Sequence, residues 1–125
     1  KFGTIPDLRG TARLTRVVGE AKAMEILMTG RMYPAAEALR LGLVNGLYPA
    51  ADLMAEAEKM AKDIAAMAPP AVGAVKRVVR KGAGVDLMTH LDMEVNLQSI
   101  LLRSEDFREG VSSMMERRPP NWRRR

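Results

Sequence analysis

The 125-residue sequence contains no cysteine. A disulfide framework and a thiolate metal site are both excluded by that absence. Histidine occurs once, at His90, so a multi-histidine zinc site is excluded too. Aromatic residues make up only 4% of the chain, too few for the core of a β-sandwich, and the many Ala and Met residues favour helices. No apolar run reaches the length of a membrane span, and no signal-peptide pattern is present. The expectation is a cytoplasmic, soluble protein with no membrane partner. No P-loop, complete dinucleotide fingerprint or nucleophile elbow occurs.

What is present is a 47% apolar chain, long enough for one domain with a core. The formal charge is +5, but Arg117, Arg118, Arg123, Arg124 and Arg125 supply all of the excess; without them fifteen basic side chains face fifteen acidic ones. A basic face across the whole domain, as nucleic-acid binding requires, is not expected. A local phosphate contact at the tail is compatible with this distribution.

Punctuation and periodicity predict about seven helices. Asp7 is placed to cap a first helix reaching Val18, with Gly19 beyond its end. A second helix spans Glu20 to Thr29, and Pro34 opens a short one from Ala35 to Leu41. Leu43 to Tyr48 reads as the one convincing strand. Leu53, Ala57, Met60, Ile64 and Met67 recur on one face of the next helix. Pro69-Pro70 starts another, expected to turn Val72, Val75 and Val79 inward. Gly82-Ala83-Gly84 reads as a loop. Asp86 caps a long helix with a stripe of Met88, Leu91, Val95 and Leu102. Ser104 caps the last helix, with Glu105 and Asp106 in its first turn, and Pro119-Pro120 stops it. One strand cannot make a sheet. That orphan strand, and a glycine-punctuated loop opening on Lys1 with no strand ahead of it, lead to the expectation that the chain is the downstream part of something larger.

The order of these parts resembles the crotonase superfamily of enoyl-CoA hydratases and isomerases. The likeness runs through Gly3-Thr4-Ile5-Pro6, Gly10-Thr11-Ala12-Arg13-Leu14 and Val18-Gly19. It continues through Ala23-Met24-Glu25, Thr29-Gly30-Arg31 and Glu37-Ala38-Leu39-Arg40-Leu41-Gly42-Leu43-Val44-Asn45. Ser104-Glu105-Asp106-Phe107-Arg108-Glu109-Gly110 and Glu116-Arg117-Arg118-Pro119 close it. The fold implied is mostly α with one or two short strands. It corresponds to the C-terminal part of a ClpP/crotonase-like α/β spiral with trimerisation and CoA-lid helices. Residues 1–48 would end the spiral core, 49–118 would form the helical region, and 119–125 a basic tail.

The resemblance further implies an acyl-CoA substrate, a homotrimeric or hexameric parent, and no cofactor beyond the CoA carried by the substrate. In that family an oxyanion hole stabilises an enolate and, in hydratases, two glutamates handle water and proton. By family spacing the nearer glutamate falls just before Lys1, and the isolated chain is expected to lack hydratase activity. Asp7 is the catalytic candidate, where hydratases commonly carry glycine; an N-cap is the plainer role, and the two are compatible. Phe2, Gly3 and Pro6 are assigned to the substrate wall, although Phe2 also suits a core position. Arg9 departs from a usual glycine.

Gln98 falls where the family can place an aromatic residue against the CoA adenine; a bonded amide at a stripe edge is the alternative. Arg117 and Arg118 match a basic segment that contacts CoA phosphate, against the alternative of a solvated helix end. Glu105, Asp106 and Glu109 read as helix-end electrostatics, and His90 as a surface or interface residue. Trp122 with Arg123 to Arg125 reads as a solvated tail, with nucleic-acid stacking the weaker reading. A non-enzymatic helical assembly module is the rival to the enzyme-fragment reading.

Overall fold

The computed structural model describes residues 3–6 and 9–123. Among these residues there are seven helices and no strand: α1 (Gly10–Val18), α2 (Glu20–Thr29), α3 (Ala35–Arg40), α4 (Leu53–Ala65), α5 (Pro69–Gly82), α6 (Leu87–Leu101) and α7 (Glu105–Met115). The helices expected from the sequence are all present. Asp7, expected as the first cap, lies outside the described residues; Arg9 holds the N-cap position of α1. Two compact units divide after Glu56, inside α4.

In the first unit Gly19 ends α1 and begins α2 with a φ of 79°, a backbone that favours glycine. The two helices pack against each other, and Ala23 of α2 is 2% exposed. Glu25 then gathers the start of the next segment. It pairs with Lys22, accepts the Tyr33 hydroxyl at 3.0 Å and meets Arg31 at 3.1 Å. The Lys22 ammonium and then the Tyr33 hydroxyl hold the Glu25 carboxyl below its ordinary range.

The expected strand from Leu43 to Tyr48 is absent. Gly42, with φ of 73°, stops α3 by sending its N–H to the Leu39 carbonyl at 3.0 Å, while the Leu43 N–H donates to Ala38 at 2.9 Å. This paired helix stop consumes the first donor of the predicted strand. Among the described residues there is no second strand for the rest to join.

In the second unit α5 and α6 pack as a hairpin. On α5 Val78 and Gly82 are buried and Pro70, Ala71, Val72 and Ala74 are half-buried; Ala71, Ala74, Val78 and Gly82 form a largely small-residue face at helical spacing. On α6 the half-buried residues are His90, Met93, Leu97 and Leu101. Both faces differ from the expected ones, although Val72 is half-buried as expected. Val75 and Val79 are exposed, and so are Met88, Leu91, Val95 (67%) and Leu102. Gly82, expected in a loop, is the last residue of α5. The physical reason is that α6, LMTHLDMEVNLQSIL, is apolar around much of its circumference. Periodicity alone cannot choose which side meets the neighbour.

Little of the chain is buried. Ala23 and Val78 are the only buried hydrophobic residues among those described. Leu53, Met60, Ile64 and Met67, the predicted face of α4, are all exposed. The accessible surface is 10489 Å². A compact 13.8 kDa monomer exposes roughly 6,600 Å², and two separate units of half that mass about 8,000 Å². The excess of roughly 2,000 Å² or more, even on the second count, is the size of a large interface.

Candidate functional site

Helix α7 is built by its own sequence. The Ser104 hydroxyl accepts the Phe107 N–H at 3.1 Å and donates to the Leu101 carbonyl at 2.6 Å, so one side chain joins the end of α6 to the start of α7. Asp86 caps α6, accepting the Thr89 N–H at 3.0 Å and its hydroxyl at 2.7 Å. Those two bonds, the backbone one first, keep the Asp86 carboxyl below its ordinary range.

Between the start of α5, the end of α6 and one side of α7 lies an apolar groove of about 330 Å³. Ala71, Gln98, Leu102, Phe107 and Met114 line it, and Trp122 contributes to one wall. Gln98, a predicted substrate contact, is exposed and also borders a second apolar groove along Val75, Val79 and Val95. The broad character of α6 again places it between two faces.

The C-terminal segment returns along α7. The helix ends with Arg117 in the left-handed region, φ 53°. Its N–H donates to Met114 at 3.3 Å, and the Arg118 N–H donates to Ser113 at 3.0 Å. Glycine is the usual residue at such a stop; an arginine there carries backbone strain of about 1 kcal/mol. After the turn, Arg118 grips Glu109 through two nitrogens, at 2.5 and 3.0 Å, and Glu116 through Nε at 2.6 Å. The Asn121 N–H reaches Glu109 Oε1 at 2.7 Å, and the Arg123 N–H reaches Asp106 Oδ1 at 2.7 Å. The Trp122 indole N–H donates to the Ala66 carbonyl at 2.7 Å.

The Arg118 guanidinium, followed by the Asn121 N–H, lowers the Glu109 carboxyl to about 2, and the same pairing raises the Arg118 pKa. Asp106 is 6% exposed, and its Oδ2 is buried without a partner among the described residues.

These contacts revise the reading of the acidic trio and of the tail. Asp106 and Glu109 are the docking points of the segment that follows the helix. Trp122 is half-buried rather than solvated, with its ring against Gly110: a Cβ there would sit 3.4 Å from it. The signal that could have found this is Glu109 beside Gly110, nine residues before an arginine of opposite charge, followed by the two prolines that turn the chain. His90 is half-buried, its ring against Gly82 and its Nε2 3.4 Å from Glu94.

Of the opening loop, Phe2 and the catalytic candidate Asp7 lie outside the described residues. Gly3 has φ of 68° and is exposed, as is Pro6. A Cβ on Gly10 would meet Pro6 Cβ at 2.9 Å, so glycine at the first position of α1 allows the loop to lie against the helix. Arg9, which replaces a usual family glycine, keeps a left-handed backbone of φ 67°. Gly3 and Pro6 belong to the first unit, while Gln98, Arg117 and Arg118 belong to the second. No group of three or more candidate metal-binding side chains occurs among the described residues. No described helix is long and apolar enough to cross a membrane.

The enoyl-CoA hydratase/isomerase family description matches residues 1–125. A probable enoyl-CoA hydratase of Mycobacterium tuberculosis is 38% identical over 125 residues, all of this chain and 49% of the relative. A short-chain-enoyl-CoA hydratase of Clostridioides difficile is 42% identical over 112 residues, 90% of this chain and 72% of the relative. Among solved structures, an enoyl-CoA hydratase from Bacillus anthracis superposes with a TM-score of 0.95 at 35% identity, covering 98% of this chain and 48% of that one. The chain spans about half the length of most of these relatives.

Proposed function

The chain belongs to the enoyl-CoA hydratase/isomerase family and has the architecture of the C-terminal portion of the crotonase fold; from that premise we propose that it serves an acyl-CoA enzyme acting on enoyl thioesters. The reaction is either addition of water across the C2–C3 double bond, with hydroxyl to C3 and proton to C2, or movement of that double bond through an enolate. Backbone N–H groups of an oxyanion hole would carry the developing charge, and CoA enters as part of the substrate. The setting is fatty-acid metabolism in the cytoplasm, in a homotrimeric or hexameric assembly.

The observation that carries this reading is the uncovered apolar surface of a chain that matches about half of its relatives' length. Leu53, Ile64, Val75, Val95 and their neighbours form faces that a larger fold or assembly would cover. On this reading Phe2, Gly3, Pro6 and Asp7 belong to the wall of the acyl site, with Asp7 as its carboxylate. Gln98 and Arg117 belong to the CoA side, with Arg118 beside them paired to Glu109 and Glu116.

The 125 residues alone are inactive as a hydratase. The test is purified chain with crotonyl-CoA, following loss of the enoyl absorbance. Background rates support the reading, and turnover near that of a full-length relative overturns it. The same exposed faces favour a second reading, a non-catalytic helical module that self-associates. Sedimentation separates the two: a folded discrete trimer supports the module, and aggregation or loss of fixed packing refutes it.

A further inference from the structure

The segment after α7 is fastened at separate points to a single helix and to one carbonyl beyond it. We infer that Glu109 is the positioning residue of a C-terminal latch: it holds the strap 117–123 against α7, so that Arg118 is spent as a structural cation and Arg117 remains the guanidinium available to a phosphate-class anion. The identity of that anion as the phosphate of CoA rests on the acyl-CoA reading above; the latch itself does not.

The two neighbouring arginines are separated by donor supply. A guanidinium has five N–H donors. In Arg118 the Nε–H goes to Glu116, two N–H groups go to the two oxygens of Glu109, and a further one goes to the Pro119 carbonyl at 3.2 Å. One donor is left, on a cation already faced by two carboxylates. Such a group has little to offer a phosphate, which binds arginine best through a paired fork. Arg117 is exposed and among the described residues forms no ion pair. Its left-handed backbone is the turn that sends the chain back along α7. The strained residue thus both makes the turn and carries the free charge, and strain of this kind persists where surrounding contacts fix it.

Glu109 supplies much of that fixing. It is the only described side chain that holds the strap at two places, taking Arg118 at one end and the Asn121 N–H further along. Between Asn121 and Arg123 the single tryptophan of the sequence, Trp122, reaches the Ala66 carbonyl, and the Arg123 N–H reaches Asp106. Releasing Glu109 frees the middle of the strap and leaves Trp122 and Arg123 to hold it alone. Charge-assisted, paired hydrogen bonds are the strong members of such a set, and a short exposed strap is the kind of segment that opens locally without unfolding its domain.

The experiment uses the whole chain and its one tryptophan. Glu109→Gln keeps the side-chain shape and an acceptor for the Asn121 N–H but removes the charge; Arg118→Gln removes the partner. Trp122 emission reports strap docking, and trypsin cleavage after Arg117 reports its opening. Both variants are expected to shift Trp122 emission to the red and to speed that cleavage roughly tenfold or more, with unchanged helix content by circular dichroism. Arg118→Lys, which keeps the charge but loses the fork, is expected to fall between.

Calorimetric titration with coenzyme A supplies the second arm. Arg117→Gln is expected to abolish CoA binding with Trp122 emission unchanged, whereas Glu109→Gln weakens it together with the red shift. A strap equally docked and equally resistant in both Glu109→Gln and Arg118→Gln overturns the latch, whatever CoA does. Opening in both variants without any CoA binding by the parent chain overturns the assignment of Arg117 to CoA phosphate and leaves the latch standing.

Discussion

Replacing Gly82 by alanine tests how the α5–α6 hairpin is held. Two effects oppose each other. Alanine in place of glycine near the end of a helix is worth about 0.5–1 kcal/mol. The added methyl, however, would lie 2.5 Å from His90 Nδ1 and 2.6 Å from Nε2, about 1 Å closer than carbon and nitrogen atoms pack. His90 can yield only by swinging outward, losing its place against α5 and its 3.4 Å pairing with Glu94.

Overpacking of this kind costs about 1–3 kcal/mol, so Gly82→Ala is expected to destabilise the protein by about 1–2 kcal/mol. The sign reverses once the ring is gone: in a His90→Ala background the same change should be neutral or stabilising by up to about 1 kcal/mol. Urea denaturation of the four proteins, read at constant slope, gives the coupling between the two sites. A single Gly82→Ala variant as stable as the parent, or an equal effect in both backgrounds, would refute the steric account.

Arg9→Gly and Arg117→Gly each place glycine where the backbone is already left-handed, and each should stabilise the chain by about 1 kcal/mol; lowered stability in either contradicts the strain assigned there. Ser104→Ala removes the cap of α7 and its link to Leu101, and should cost about 1 kcal/mol, seen as a lower urea midpoint. The strap should also be acid-labile. Glu109 is held at about 2 in the folded chain against an ordinary value of 4.5, so its contribution is complete above the ordinary value and fades as pH falls toward 2. Trp122 emission should therefore shift red between about pH 5 and pH 2; emission unchanged through that range refutes the role of the Glu109 charge.

Much was legible in the sequence because it is written locally. Pro34, Pro69, Asp86, Ser104 and the glycines after helix ends mark boundaries through backbone chemistry that acts within a few residues, and the helices start and stop close to where those signals place them. The family resemblance was legible for the same reason: its motifs are caps, stops and turns in fixed order. The strand at Leu43–Tyr48 was misread because strand propensity has no meaning without a partner, and the paired stop after α3 took its first N–H.

Which face of each helix is covered was decided only in three dimensions. On α5 the sequence favoured Val72, Val75 and Val79, whereas the fold turned inward Ala71, Ala74, Val78 and Gly82 and left Val75 and Val79 exposed, because close approach of α6 suits a face built largely of small residues. On α6 an apolar circumference left no preferred side. The tail was likewise undetermined: charge and aromaticity read as a solvated end, while Glu109, Asp106 and the Ala66 carbonyl, distant in sequence, turn it into a docked strap. Caps and stops are short-range and belong to the sequence; burial and ion pairing depend on groups tens of residues apart, and only the tertiary structure brings those together.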